Sequence, residues 1–77
     1  MTLDTIRQMI IEITNCSEDE VEGKTILKED LGMDSLDAME LVMLIEEKTG
    51  LSIPEEKLPE FITVDDIVNY VNSAMES

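Results

Sequence analysis

The chain has 77 residues, enough for one domain spanning 1–77, and one cysteine, Cys16, so no disulfide framework can staple it. Nineteen acids against five bases give a formal net charge of -14, which repels nucleic acid and anionic membranes and attracts basic protein patches and divalent cations. The lack of histidine removes the commonest general base, the usual Ser-His and Cys-His pairs and most zinc sites.

The spacing of Leu3, Ile6, Met9, Ile10 and Ile13 predicts a helix over residues 3–15, with Thr2 as its cap. Ser17-Glu18-Asp19-Glu20 has capping-box spacing and predicts a single helical turn. Residues 22–33, with Gly23 and Gly32, read as a long loop over Ile26, Leu27 and Leu31. Residues 35–49 form the second helix, with Lys48 in its last turn and Gly50 as its stop. Pro54-Glu55-Glu56-Lys57-Leu58 is a short acidic turn limited by Pro59. Thr63 and Asp66 form a capping pair for a last helix over 64–75, with Val64, Ile67, Val68, Val71 and Met75 on one side. No strand alternation appears. The expected fold is all-α, a small bundle of three main helices and one short one. A chain this small buries only about 60% of its unfolded surface, so modest stability is expected.

No apolar run approaches the roughly 20 residues that cross a bilayer. The N-terminus lacks the basic start and apolar core of a signal peptide, and a lone cysteine suits a reducing compartment. A cytoplasmic location is expected.

The second helix has two faces. At about 100° per residue, Ala38, Leu41, Val42 and Ile45 turn toward the core, and Asp37, Glu40 and Glu47 turn away. Leu44 falls among those acids, with Leu36 and Met43 at their border. Apolar residues ringed by carboxylates favour a docking surface for a partner with a basic patch and an apolar groove.

Ser35 stands where this helix begins. Serine is a favoured N-cap, which is one reading of it. Asp34 competes for that task, with Asp37 three residues on. If Asp34 caps, Ser35 is the first helical residue and its hydroxyl points outward as a modification site, where the helix end favours a phosphate ester. No neighbouring group can act as its base, so a nucleophilic role is not expected.

The stretch Asp30-Leu31-Gly32-Met33-Asp34-Ser35-Leu36-Asp37, running on to Glu40-Leu41-Val42, closely resembles the attachment motif of acyl carrier proteins. The resemblance extends over the whole chain in length, acidity, helix order and the Ile53-Pro54 turn. It implies an acyl carrier protein-like bundle that carries growing acyl chains as thioesters on a covalent 4′-phosphopantetheine arm attached to Ser35. It implies that Asp34 helps to engage the synthase, and that Leu36, Asp37, Glu40, Met43, Leu44 and Glu47 form the recognition surface. The implied partners are a phosphopantetheinyl transferase (a holo-acyl-carrier-protein synthase that needs magnesium) and acyl-processing enzymes with basic patches. Nucleic acid binding, membrane insertion and a dedicated metal site are not expected, and the chain is expected to be a monomer. The chemistry resides in the thiol of the arm, so the chain is not expected to be an enzyme. Pro59 and Phe61 stand where many family members carry a longer acidic third helix.

Fatty acid synthesis is the favoured setting, with polyketide or other specialised pathways as the alternative and peptidyl carriers ranked lower. An unmodified acidic interaction module would explain the charge and the exposed apolar residues but gives Ser35 no role. The Asp30-to-Glu40 segment superficially resembles a calcium-binding EF-hand loop. It has Ser35 where the sixth-position glycine belongs and Gly32 where a third-position oxygen ligand belongs, which argues against such a site. Among the six methionines, Met39 is a candidate for a core that parts to admit an acyl chain, with ordinary core filling as its default role. Cys16 reads as a partly buried small residue.

Overall fold

In the computed structural model, which describes residues 2–76, four α-helices follow one another: α1 Leu3–Thr14, α2 Leu27–Leu31, α3 Ser35–Thr49 and α4 Val64–Glu76. Two 3-10 turns, Glu18–Glu20 and Glu55–Glu60, complete the regular structure. The architecture is the all-α bundle expected, with α1 packed against both α3 and α4.

The helix ends follow from local chemistry. Thr2 Oγ1 accepts from the Thr5 N–H at 3.4 Å, and Asn15 closes α1 in the left-handed conformation at φ 61°. Helix α3 ends at Gly50, φ 76°, whose N–H donates to the Glu46 carbonyl at 2.8 Å. A side chain is strained at such a φ, so glycine is the favoured residue there. The half-buried Glu46 then accepts from the Ile53 N–H at 2.7 Å and ties the following loop to the helix.

Four expectations need correction. The segment 22–33 is not a loop throughout, because it contains α2. Asp30 Oδ2 accepts the Ile26 N–H at 2.8 Å, and Gly32, φ 67°, caps the other end with its N–H on the Leu27 carbonyl. Ser17 does not cap with its side chain; its backbone carbonyl takes the Glu20 N–H at 3.0 Å, as a three-residue 3-10 turn requires. Pro59 does not end the turn that follows Pro54 but lies inside it, since a short 3-10 turn tolerates the loss of one donor. Met75 is 51% exposed, so the apolar stripe of α4 ends at Val71.

Ile6, Met9 and Ile10 of α1, Leu41 and Ile45 of α3, and Val64, Ile67 and Val71 of α4 are buried together with Val21, Leu27, Met33 and Ile53. Thr25 is the buried polar residue beneath them. Its hydroxyl donates to the Glu20 carbonyl at 3.1 Å and accepts from the Glu22 N–H at 2.8 Å. Thr25→Val keeps the shape and orphans both backbone groups. It is expected to lower unfolding stability by about 1–3 kcal/mol, read from the urea midpoint at unchanged m. An unchanged midpoint would mean that the hydroxyl is dispensable.

A backbone strap joins chain segments far apart in sequence. The Leu27 N–H donates to the Ile62 carbonyl, the Val64 N–H to the Thr25 carbonyl and the Asp65 N–H to the Gly23 carbonyl, at 3.0, 3.1 and 2.8 Å. Ile26 and Thr63 pair as an isolated antiparallel bridge. At the start of α4 the Asp66 carboxylate accepts from the Thr63 and Ile62 N–H groups at 2.9 and 3.0 Å, and the Asp66 N–H donates to the Thr63 hydroxyl at 3.2 Å. The bond from the Thr63 N–H chiefly holds this carboxyl below its ordinary 3.8, against a smaller opposing effect of desolvation. A depressed carboxyl adds stability above its unfolded pKa, and that stability disappears as pH falls through the folded value. Asp66→Asn should therefore be less stable than the parent by a constant margin above about pH 5, and the margin should close below about pH 4. A margin independent of pH would show that ionisation of Asp66 does not matter.

Candidate functional site

The junction of α2 with α3 places a serine at a helix start with nothing to bind. Asp34 is the cap: its Oδ1 accepts the Asp37 N–H at 2.9 Å, and Asp37 Oδ2 accepts the Asp34 N–H at 3.4 Å. This closes the question left open by the sequence. Ser35 is the first residue of α3, it is exposed, and its hydroxyl makes no hydrogen bond among the described residues.

Beside Ser35 lies a groove of about 560 Å³. One wall comes from α2 and the junction, with Leu27, Lys28, Glu29 and Met33. The other comes from the end of the second 3-10 turn, with Leu58, Pro59, Phe61 and Ile62, and Ala38 of α3 completes the lining. The strap fixes this arrangement, because it hydrogen-bonds Leu27 to Ile62, one residue from each wall. Phe61 is held edge-on by Tyr70 of α4, with ring centroids 5.4 Å apart and planes at 63°.

These features fit a phosphate ester with an amphipathic extension. The hydroxyl is free and exposed, the backbone N–H groups of the first turn favour an anion, and an apolar groove starts alongside. The Asp34 and Asp37 carboxylates offset part of that favourable field. The chain holds no histidine that could serve Ser35 as a base.

The expected recognition residues occupy different environments. Leu36 and Met43 are 71% and 63% exposed, and with the exposed Glu40 and Glu47 they share one face of α3. Asp34 is exposed, whereas Asp37 is half-buried with its carboxylate engaged in the cap. Leu44 is corrected: it is half-buried and packs against the core, since a helix with neighbours on several sides buries a wider arc than a single stripe. Met39 is corrected as well. It is 40% exposed, and the buried methionine at this end of the molecule is Met33. Ala38 and Val42 face inward but are only half-buried, and the fully buried residues of α3 are Leu41 and Ile45. Cys16 is half-buried, with its sulfur accepting from the Thr14 hydroxyl at 2.9 Å.

The groove was not anticipated. Lys28 and Ile62 carry no local signal that marks them as neighbours of Ser35. Asp30, prominent in the motif, serves the fold by capping α2. Among the described residues, no helix is long and apolar enough to cross a membrane.

Comparison with known proteins gives a consistent result. The family model described as phosphopantetheine attachment site matches residues 4–71. The chain is 41% identical over 70 residues to an acyl carrier protein of Wolinella succinogenes, covering 91% of this chain and 92% of that one. It is 39% identical over 70 residues to an acyl carrier protein of a Sulfurovum species, covering 91% and 93%. A third relative, an acyl carrier protein of Campylobacter lari, is 37% identical over 70 residues, covering 91% of each chain.

Proposed function

Given that the chain belongs to the phosphopantetheine attachment family and to its acyl carrier proteins, with 4′-phosphopantetheine as prosthetic group, we propose that it is a cytoplasmic, monomeric carrier of acyl chains for fatty acid synthesis, attached through Ser35. The whole of 1–77 then acts as one carrier domain with no catalytic role of its own. The observation that carries this reading is the exposed, unengaged hydroxyl of Ser35 at a helix start whose cap is already supplied by Asp34.

When bound, the group supplies a thiol that holds cargo as a thioester. The chain's residues do the rest. Ser35 offers its oxygen to a phosphopantetheinyl transferase without unsatisfying any internal bond. Asp34 and Asp37 hold the first turn of α3 in place, so the Ser35 backbone presents its side chain at a fixed point on the surface. Leu36 and Met43, set among Glu40 and Glu47, offer an apolar contact ringed by negative charge. Acyl-processing enzymes with basic patches meet it quickly and release it readily, as a carrier that visits several partners requires. A tethered cargo also reaches each partner at a high effective concentration.

Incubation with coenzyme A, magnesium and a competent phosphopantetheinyl transferase is expected to add the mass of one phosphopantetheinyl group. Peptide mapping should place it on Ser35. An unchanged mass would leave an unmodified interaction module as the better account of the acidic face. Where the arm is gained, intact mass of the protein from its native host identifies the cargo and so bears on fatty acid synthesis against a specialised pathway.

A further inference from the structure

The five cations of this chain are not equally free. Arg7 donates to the Val21 carbonyl at 2.8 Å and pairs with Asp4. Lys57 pairs with Glu60 at 3.6 Å. Lys48, which borders a separate hollow against α1, and Lys24, in the loop before α2, are exposed and make no ion pair among the described residues, but neither lines the groove beside Ser35. Lys28, the second residue of α2, is exposed and makes no ion pair among the described residues. It is also the cation among the residues lining the groove beside Ser35, where the other charged groups are Glu29 and Asp34.

The surroundings of Ser35 are therefore electrostatically lopsided. On the α3 side lie Asp37 and Glu40, and Asp34 and Asp37 already oppose the positive end of that helix. A phosphodiester on Ser35 adds one more negative charge to a chain of net charge -14. Along α3 it meets like charges; toward α2 it meets the cation of the groove lining, Lys28, beside Glu29 and beside Asp30, whose carboxylate is engaged by the Ile26 N–H. The apolar wall of Leu58, Phe61 and Ile62 lies across the same groove.

We propose that Lys28 is a positioning residue for the prosthetic arm: its ammonium attracts the phosphodiester toward α2 and lays the arm over the groove, leaving the Leu36–Met43 face of α3 clear for partners. This rests on attachment at Ser35. The interaction is an exposed one, so it biases the arm and does not lock it. The expected effect is about a twofold to fivefold change in the ratio of groove-facing to solvent-facing arm, weakening with salt.

The test uses the loaded protein and phosphorus and proton NMR. In the parent, the phosphodiester resonance should move as sodium chloride is raised, and arm methylene protons should show cross-peaks to the Ile62 methyl groups. Lys28→Gln should lose the salt response, and Lys28→Glu should weaken the Ile62 cross-peaks about twofold or more. Lys28→Arg should retain both. Circular dichroism should show all three folded, because position 28 is exposed. Equal resonances, salt responses and cross-peaks in the parent, Gln and Glu forms would overturn the role of Lys28. Arm mass mapped to a residue other than Ser35 would instead overturn the attachment reading beneath it.

Discussion

Ser35→Ala is expected to abolish loading entirely while leaving the fold in place. The two halves of this result have separate causes. The hydroxyl is the proposed acceptor of the arm, and among the described residues no other serine stands at a capped α-helix start of this kind. Yet the same hydroxyl makes no hydrogen bond among the described residues, and Asp34 supplies the cap. Alanine is also the better helix former by a few tenths of a kcal/mol, about 0.5 at most. Intact mass after treatment with coenzyme A, magnesium and a competent transferase should show no gain, and the melting temperature should be unchanged or slightly raised. Asp34→Ala provides the contrast. It keeps the acceptor oxygen but removes the cap, at an expected cost of about 1 kcal/mol. A Ser35→Ala protein that still gains the arm would refute the site, and one that unfolds would refute the claim that Asp34 alone caps α3.

Ile45→Ala is expected to remove a large share of the total stability. Ile45 is fully buried on the inward face of α3, in the cluster shared with α1 and α4. Truncating such a side chain costs about 2–5 kcal/mol, combining lost transfer energy with the cavity left behind. A chain of 77 residues has about 4–12 kcal/mol in all. Urea unfolding followed by far-ultraviolet circular dichroism should show a large fall in midpoint, and at the low end of that range a population already unfolded in water. Leu36→Ala on the opposite face should stay within about 0.5 kcal/mol of the parent. Its expected defect is slower loading by the transferase, because Leu36 is 71% exposed on the proposed docking face. A fall of less than about 1 kcal/mol for Ile45→Ala would mean that the core is not where the structure places it.

The inward and outward faces of α3 were legible because a helix repeats every few residues and its apolar positions reveal the buried side. The same holds for the stripe Ile6, Met9 and Ile10 of α1 and for the Thr63–Asp66 cap. Wheel reasoning failed at Leu44 because it assumes one flat neighbour, whereas burial depends on every element around the helix. The Met39 reading rested on methionine's adaptability, which carries no information about position. Helix α2 was missed because five residues are too few to display a period. Gly32, read as a loop glycine, is its C-cap.

The sequence by itself determined the helices with long periodic stripes, their ends at Gly50 and Asp34, the acidic charge and the placing of Ser35 at a helix start. All of these depend on hydrogen bonds and side-chain spacings within a few residues. Which of Asp34 and Ser35 does the capping is also settled locally, by the Asp34–Asp37 pair, although the sequence offered both. Only the tertiary structure decided that Ser35 opens onto a groove with Lys28 on its rim. That groove exists because Gly23, Thr25 and Leu27 share backbone hydrogen bonds with Asp65, Val64 and Ile62. Backbone groups carry no residue-specific label, so a pairing between segments this far apart leaves no mark in the sequence of either one.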